Sequence, residues 1–371
     1  MEFIINRDIF LKSLGHAIGI IEKKTTLPIL SNILIEAKGS KVKFTATDLD
    51  IIYFEEAEAQ EIMKEGSTTT SASILYDILR KLQPNTKVEL SQQSSNKLKL
   101  ISGNSKFNLL SITADNFPLS EENISKKTFM VSSQKLLKLL NKTKISISSD
   151  ETRHYLNGIY LHKLQSGNKL FLSGVATDSH RLSYSSIEID PNIEFESIIL
   201  PKKTIFHLIS LLEQNNNDIK ISNDKSKIKF EMTTGVLISK VIDGRFPDYN
   251  KVIPKDNTKI LELKLNEFKD SIGIVTSVSA DHKEGLKMLI SKDSLQLSVN
   301  SPNSGDSAKN LEAKFNSEEM NISFNSKYLI DIASQIDSES IVINLKEPGS
   351  PVLIRDLSDK NTFHVVMPMK I

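Results

Sequence analysis

The strongest constraint on this chain is that it repeats itself. A strand-like triplet followed by an amphipathic helical pattern occurs three times. Phe3-Ile4-Ile5 precedes Ile9, Phe10, Leu11 and Leu14; Phe129-Met130-Val131 precedes Leu136, Leu137, Leu139 and Leu140; Leu261-Glu262-Leu263 precedes Phe268 and Ile272. Aligning Ile5, Val131 and Leu263 gives spacings of 126 and 132 residues. A second helical pattern runs over residues 73–82, 203–212 and 327–336, and its ends at Leu82, Leu212 and Ile336 are 130 and 124 residues apart. Two independent helices that agree on one period mark tandem modules. Thr47-Asp48 echoes Thr177-Asp178, and Phe117-Pro118 echoes Phe246-Pro247.

Between the helices the sequence alternates polar and apolar residues, as strands with one buried face do. Lys41-Val42-Lys43-Phe44, Lys97-Leu98-Lys99-Leu100 and Lys227-Ile228-Lys229-Phe230 show it. Turn residues separate such runs at Ser102-Gly103-Asn104 and Gln165-Ser166-Gly167-Asn168. The expected fold class is therefore α+β: three tandem similar domains, each with two helices packed on antiparallel sheets. Polar stretches at residues 120–127 and 254–259 set the expected boundaries at 1–126, 127–254 and 255–371.

Composition removes several classes of function. At 371 residues the chain exceeds one ordinary domain, and 39% hydrophobic with 25% charged residues is a globular balance. No apolar run approaches the roughly 18 residues of a membrane span. The start, with Glu2 and a short apolar stretch, does not fit a secretory signal, so a cytoplasmic location is expected. Cys is 0, which excludes disulfides, thiol nucleophiles and cysteine-ligated metals. Lys+Arg 47 against Asp+Glu 46 excludes coating of nucleic acid by bulk basicity, while leaving room for a locally basic surface.

Reaction chemistry is poorly represented. With Gly only 14, no phosphate-cradling glycine loop is recognisable. The seven histidines, His16, His154, His162, His180, His207, His282 and His364, form no closely spaced metal pair. Asp178-Ser179-His180 contains the residue types of a hydrolase triad, but sequence neighbours point in different directions whereas a triad must converge. No catalytic residue, metal or cofactor is expected. A hydrolase built on Asp178 to His180 is the rival from another class.

Five strings occur in order along the whole chain: Thr26-Leu27-Pro28-Ile29-Leu30, Tyr155-Leu156-Asn157-Gly158, residues 176–182 (Ala-Thr-Asp-Ser-His-Arg-Leu), residues 243–249 (Asp-Gly-Arg-Phe-Pro-Asp-Tyr) and Val365-Val366-Met367-Pro368-Met369. Together they resemble the bacterial DNA sliding clamp, the beta subunit of the replicative DNA polymerase III. The resemblance implies the DNA clamp fold and a ring-forming homodimer, with six domains around duplex DNA, helices inward and sheets outward. Size arithmetic agrees. Domains of this length have radii of gyration of about 14 Å, so three in a ring leave a hole of only about 5 Å and six leave roughly 35 Å. The family sets the first domain of one chain against the third of the other, which by position implies Phe107, Leu109 and Val278 at the dimer interface.

The resemblance also implies two binding surfaces. Lysines crowd the helices at Lys135, Lys138, Lys142 and Lys144, and a weak, sequence-independent attraction to phosphates is the expected role of such a set. The positions expected to contact DNA are Lys24, Arg80, Lys138, Arg153, His154, Tyr155, Lys202 and Lys203. The second surface is an apolar pocket between the second and third domains that takes short peptides from the polymerase, the clamp loader and repair proteins. Its matching positions are Leu156, Thr177, His180, Arg181, Leu182, Pro247, Val252, Val366, Met367, Pro368 and Met369. Ser179 stands where relatives often have glycine, Lys251 where some have arginine, and Lys24 where many have arginine. The implied function is that of a non-enzymatic processivity factor; the alternative is a monomeric peptide-binding scaffold that does not encircle DNA.

Overall fold

The computed structural model describes residues 1–21, 26–119, 124, 127–278 and 285–369. Six α-helices lie among them: α1 (Arg7–Ile18), α2 (Ala72–Lys81), α3 (Ser133–Lys144), α4 (Lys202–Leu212), α5 (Leu265–Val275) and α6 (Ser326–Ala333). Their starts follow from local chemistry. The Asn6 side chain accepts from the N–H groups of Asp8 (2.8 Å) and Ile9 (3.4 Å), satisfying donors that a helix start leaves over. Ser71 caps α2 and Asn325 caps α6 in the same way. Helix α6 stops short of the expected Ile336. The Ser334 hydroxyl back-bonds the Ile330 carbonyl, and Gln335 and Ile336 close onto carbonyls three residues earlier, tightening the last turn out of α-geometry.

The chain divides into two compact units. The first comprises Met1–Gln134, Ile193–Glu196 and Phe206–Val241. Its strands form a 13-stranded sheet with antiparallel pairing. Phe10 and Leu14 of α1 are buried on it, and Phe10 stacks on Phe44 at 5.0 Å. Strands Phe129–Val131, Ile219–Asn223, Lys227–Glu231 and Val236–Lys240, all from the middle repeat, extend the sheet of the first repeat. The join is the pairing of Val236–Lys240 with Ile51–Glu58, in the register Ile238↔Ile52 and Leu237↔Tyr53.

The second unit comprises Lys135–Asn192, Ser197–Ile205 and Ile242–Ile371, and holds a 9-stranded and a 4-stranded sheet. Phe268 and Ile272 of α5 and Leu329 and Ile332 of α6 lie in the core of its third-repeat part. Here the middle repeat joins the third through strands Arg181–Ile189 and Asp359–Val366, in the register Leu182↔Val365 and Ser183↔His364. The expected boundary at 120–127 lies largely outside the described residues.

The Thr-Asp echo folds into the same turn twice. The Thr47 hydroxyl donates to the Ile51 carbonyl, and Asp48 Oδ1 accepts from the N–H groups of Asp50 and Ile51. The Thr177 hydroxyl donates to the Arg181 carbonyl, and Asp178 Oδ1 accepts from those of His180 and Arg181. Both turns force their third residue into the left-handed region, Leu49 at φ 79° and Ser179 at φ 77°. Only glycine occupies that region without steric cost, which gives a physical reason for glycine at such a position.

Candidate functional site

The second unit carries a cavity of about 300 Å³, and its walls come from several separate elements. The Thr-Asp turn supplies Thr177, Ser179 and His180, and the strand after it supplies Arg181 and Leu182. The short helix Glu151–Leu156 brings Arg153, Tyr155 and Leu156, while Tyr249–Val252 brings Tyr249 and Val252 behind Pro247. The last strand contributes Val365, and Met367 is held beside the turn by its N–H donating to the His180 carbonyl at 2.8 Å. Leu156, Leu182 and Val365 are buried and form an apolar floor, whereas Met367 and Val252 are exposed at the mouth.

Polar groups around this floor are fixed by their partners. Arg181, only 8% exposed, donates from Nε to Asp178 Oδ2 (3.0 Å) and from Nη1 to Asp331 Oδ2 (2.8 Å), and its guanidinium lies 4.3 Å from the Tyr328 ring centroid. Arg153 donates from Nε to Asp150 (2.8 Å) and from Nη1 to the Ser179 hydroxyl (2.5 Å). The hydroxyl of Thr152 and the Arg153 guanidinium hold the Asp150 carboxyl down at about 2. Burial pushes the Tyr249 phenol up to about 12, so it stays protonated at neutral pH and donates to His162 Nε2 at 3.0 Å. Burial lowers His162, and its other nitrogen, Nδ1, donates to the Lys163 carbonyl. The result is an apolar slot with a rigid polar rim, a form suited to holding apolar side chains in a set orientation.

Of the positions expected for this pocket, Leu156, Thr177, His180, Arg181, Leu182, Pro247, Val252 and Met367 line the cavity together. Three do not. Val366 is 0% exposed and packs into the third-repeat core, because side chains alternate along a strand and its neighbour Val365 takes the cavity face. Met369 is held by its N–H on the Ser323 carbonyl and lies against Gly285, and Pro368 falls outside the lining as well. Two residues expected on DNA, Arg153 and Tyr155, also line this cavity. Asp248, Tyr249 and Val365 were missed, although the first two lie within the same motif as Pro247.

The other expected DNA contacts are scattered in kind. Arg80 is exposed at the end of α2 beside Asp77, and Lys202 opens α4 and reaches the Ser149 hydroxyl at 2.9 Å. Lys203 is exposed beside it, and His154 approaches the Asp243 carbonyl at 3.2 Å. The Lys138 ammonium is engaged by Asp359 (2.9 Å) and Asp337 (3.7 Å), so part of its charge is answered within the unit. Lys24 lies outside the described residues. At the expected dimer contacts, Phe107 is half-buried, Leu109 is nearly buried and Val278 packs partly against the third-repeat core. Sequence reading passed over Leu110, which is 81% exposed on the same strand. Among the described residues no cluster of His, Asp or Glu is arranged to hold a metal ion.

Repeated α+β modules, strands shared between consecutive repeats and a peptide-sized apolar cavity define a tandem-module binding chain. Comparison with known proteins makes the class specific. The models of the N-terminal, central and C-terminal domains of the DNA polymerase III beta subunit match residues 1–121, 130–248 and 250–370. The beta sliding clamp of Caulobacter vibrioides is 35% identical over the full length of both chains, and that of Escherichia coli K12 is 28% identical, again over both full lengths. A crystal structure of the Bartonella birtlesii sliding clamp bound to griselimycin superposes with a TM-score of 0.96 at 37% identity, covering 100% of both chains. The chain belongs to the DNA polymerase III beta-subunit family, and its function is that of a processivity clamp for that polymerase.

Proposed function

We propose that two copies of the chain close as a ring around duplex DNA, and that the cavity of the second unit tethers the polymerase, the clamp loader and repair proteins by short peptides. The domains are 1–126, 127–254 and 255–371, the protein acts in the cytoplasm, and it works by topology without a reaction of its own. No helix among the described residues is long and apolar enough to cross a membrane. The Bartonella birtlesii and Pseudomonas aeruginosa clamps have each been solved with griselimycin bound, so a ligand-accepting surface exists in relatives.

The observation that carries the ring is the repetition of one seam. Twice, the strand after the Thr-Asp turn of one repeat pairs with the last strand of the next: Ile52↔Ile238 and Leu182↔Val365. Each repeat therefore offers one edge and accepts another. Two edges of this kind are left over among the described residues. Ser105–Ile112 pairs with Lys97–Ser102 on one side and touches Gly66–Ser71 only at Ser111 and Ile112, while Gly305–Glu312 pairs only with Ser294–Ser301. Unpaired edges of this length are templates for another chain.

The echoes support one register. Leu109 precedes Phe117 by as many residues as Ile238 precedes Phe246, and Gly305 pairs across its hairpin with Ser301 as Ile52 does with Thr47. The third seam then sets Gly305 of one chain opposite Leu109 of its partner, and Ser307 opposite Phe107. A contact of this kind, made twice, closes under two-fold symmetry. Helices agree: His16 and Lys142, each eleven residues after the aligned strand positions, bond the end of the next repeat's second helix, at Gln214 and at Gln335 and Asp337. Their counterpart is Ile274, 54% exposed and one turn from Val278.

Retention on DNA tests the whole reading. Loaded by a clamp loader with ATP, the protein should stay on a nicked circle and leave after one linearising cut. Equal retention on both forms would point to ordinary binding by a scaffold. Because the chain has Cys 0, a Leu109→Cys, Gly305→Cys variant carries only the two engineered thiols, and oxidation should yield covalent dimers. Monomer alone after oxidation would refute the register.

A further inference from the structure

Positions His16 and Lys142 are equivalent in the repeat, and each ties its helix to the following repeat within one compact unit. Their chemistry differs. Lys142 donates to the Gln335 carbonyl and to Asp337 (2.8 Å), with Asp356 at 3.9 Å. His16, only 7% exposed, sets Nδ1 2.7 Å from Glu55 Oε2 and Nε2 3.0 Å from Gln214 Oε1. Glu55 is buried too, and its Oε2 also accepts from the Tyr53 hydroxyl at 2.5 Å. Both partners of the imidazole present oxygen acceptors. With the Gln214 amide oxygen facing the ring, both bonds form together when each ring nitrogen carries a proton, which is the cationic form.

We infer that His16 is a titratable clasp on the first seam, closed as an imidazolium between Glu55 and Gln214 and released when the pH rises, whereas the equivalent position on the second seam is held by the Lys142 ammonium. Other groups around it are consistent with this. From its own helix Asp8 and Lys12 line the small cavity beside it, with Tyr76 from α2 and Ser210 from α4. His207 of α4 stands edge-on to Tyr53, with ring centroids 5.7 Å apart. Burial and the Lys12 charge oppose protonation of His16, but its bonds to Glu55 and Gln214 outweigh them and its pKa is raised. A raised value places the stabilisation fully below the ordinary histidine value of about 6.5 and removes it as pH climbs through the folded value.

What opens is the join between Ile51–Glu58 and Val236–Lys240, because Glu55 and Tyr53 sit on the first strand and Gln214 follows α4. The test uses the full-length protein. The His16 ring proton is titrated by NMR, assigned by its loss in His16→Gln, and amide exchange is followed from pH 6 to 9 after correction for intrinsic rates. A midpoint above about 6.5 is expected, with protection at the first seam falling roughly tenfold for each pKa unit of linkage. Protection of Arg181–Ile189 and Asp359–Val366 should stay level. His16→Lys should flatten the pH dependence at high protection, and His16→Gln should flatten it at low protection. A midpoint at or below the ordinary value, equal changes at both seams, or an unaltered pH dependence in His16→Gln would overturn the inference.

Discussion

Removing the Arg181 guanidinium is the most informative single perturbation of the cavity, because that group is both a wall and a tie. Its two bonds, to Asp178 and Asp331, connect the Thr-Asp turn of the middle repeat to α6 of the third. Arg181→Ala leaves those carboxylates without their shared cation. Deleting one partner of a buried pair costs about 3–5 kcal/mol, since the remaining charge keeps its desolvation penalty. Here the penalty is reduced: Asp178 and Asp331 keep 17% and 23% of their side-chain surface, and Asp331 retains Lys327 at 3.4 Å. The lost contact with Tyr328 adds about 1 kcal/mol. The expected total is about 3 kcal/mol, concentrated in the second unit. Native-state hydrogen exchange reads this locally, as a loss of protection of roughly two powers of ten in the strands Arg181–Ile189 and Asp359–Val366. A double-mutant cycle with Asp331→Ala should return a coupling of at least about 1 kcal/mol. Arg181→Lys should recover only part, because the ammonium cannot span both carboxylates with a planar fork. A change below about 0.5 kcal/mol in Arg181→Ala, or additivity in the cycle, would refute the assignment of this residue as the tie.

Three further outcomes follow from the geometry. Leu49→Gly relieves a left-handed backbone and should raise stability by about 0.5–1 kcal/mol in denaturant unfolding; Ser179→Gly should gain less, since it also loses the bond from Arg153. Leu182→Ala combined with Met367→Ala removes a floor and a mouth residue and should weaken a clamp-binding peptide by roughly tenfold or more in calorimetric titration, and unchanged binding would remove the site from that cavity. Burial raises the Asp356 carboxyl, but the N–H of Asp337 and the N–H and hydroxyl of Ser358 outweigh it and hold it at about 2. Its stabilisation is therefore present above the ordinary carboxylate range and lost as pH falls toward 2; in Asp356→Asn the acid-induced loss of exchange protection in the third repeat should be smaller.

Much of the molecule is legible without coordinates. The period of the two helical patterns gave three modules, and alternation placed strands such as Lys97–Ser102 and Lys227–Glu231, because amphipathic patterning is local. The resemblance supplied eight of the cavity positions by motif. Motif membership could not separate Val365 from Val366, which adjoin in sequence and face opposite ways. Nor could it show that Lys138 meets Asp359 and Asp337, about two hundred residues away.

The repeat, the succession of strands and helices within it, and the turns all depend on residues a few positions apart, so local patterning reveals them. Which edges meet is settled by the folded chain alone. Backbone pairing of Ile51–Glu58 with Val236–Lys240, and of Arg181–Ile189 with Asp359–Val366, is blind to side-chain identity and spans more than 170 residues of chain. Those pairings set which face of the last strand looks into the cavity and which charges are consumed at a seam. Among the described residues they also leave Ser105–Ile112 paired on its second side only at Ser111 and Ile112, and Gly305–Glu312 paired on one side, with backbone groups open to a further strand.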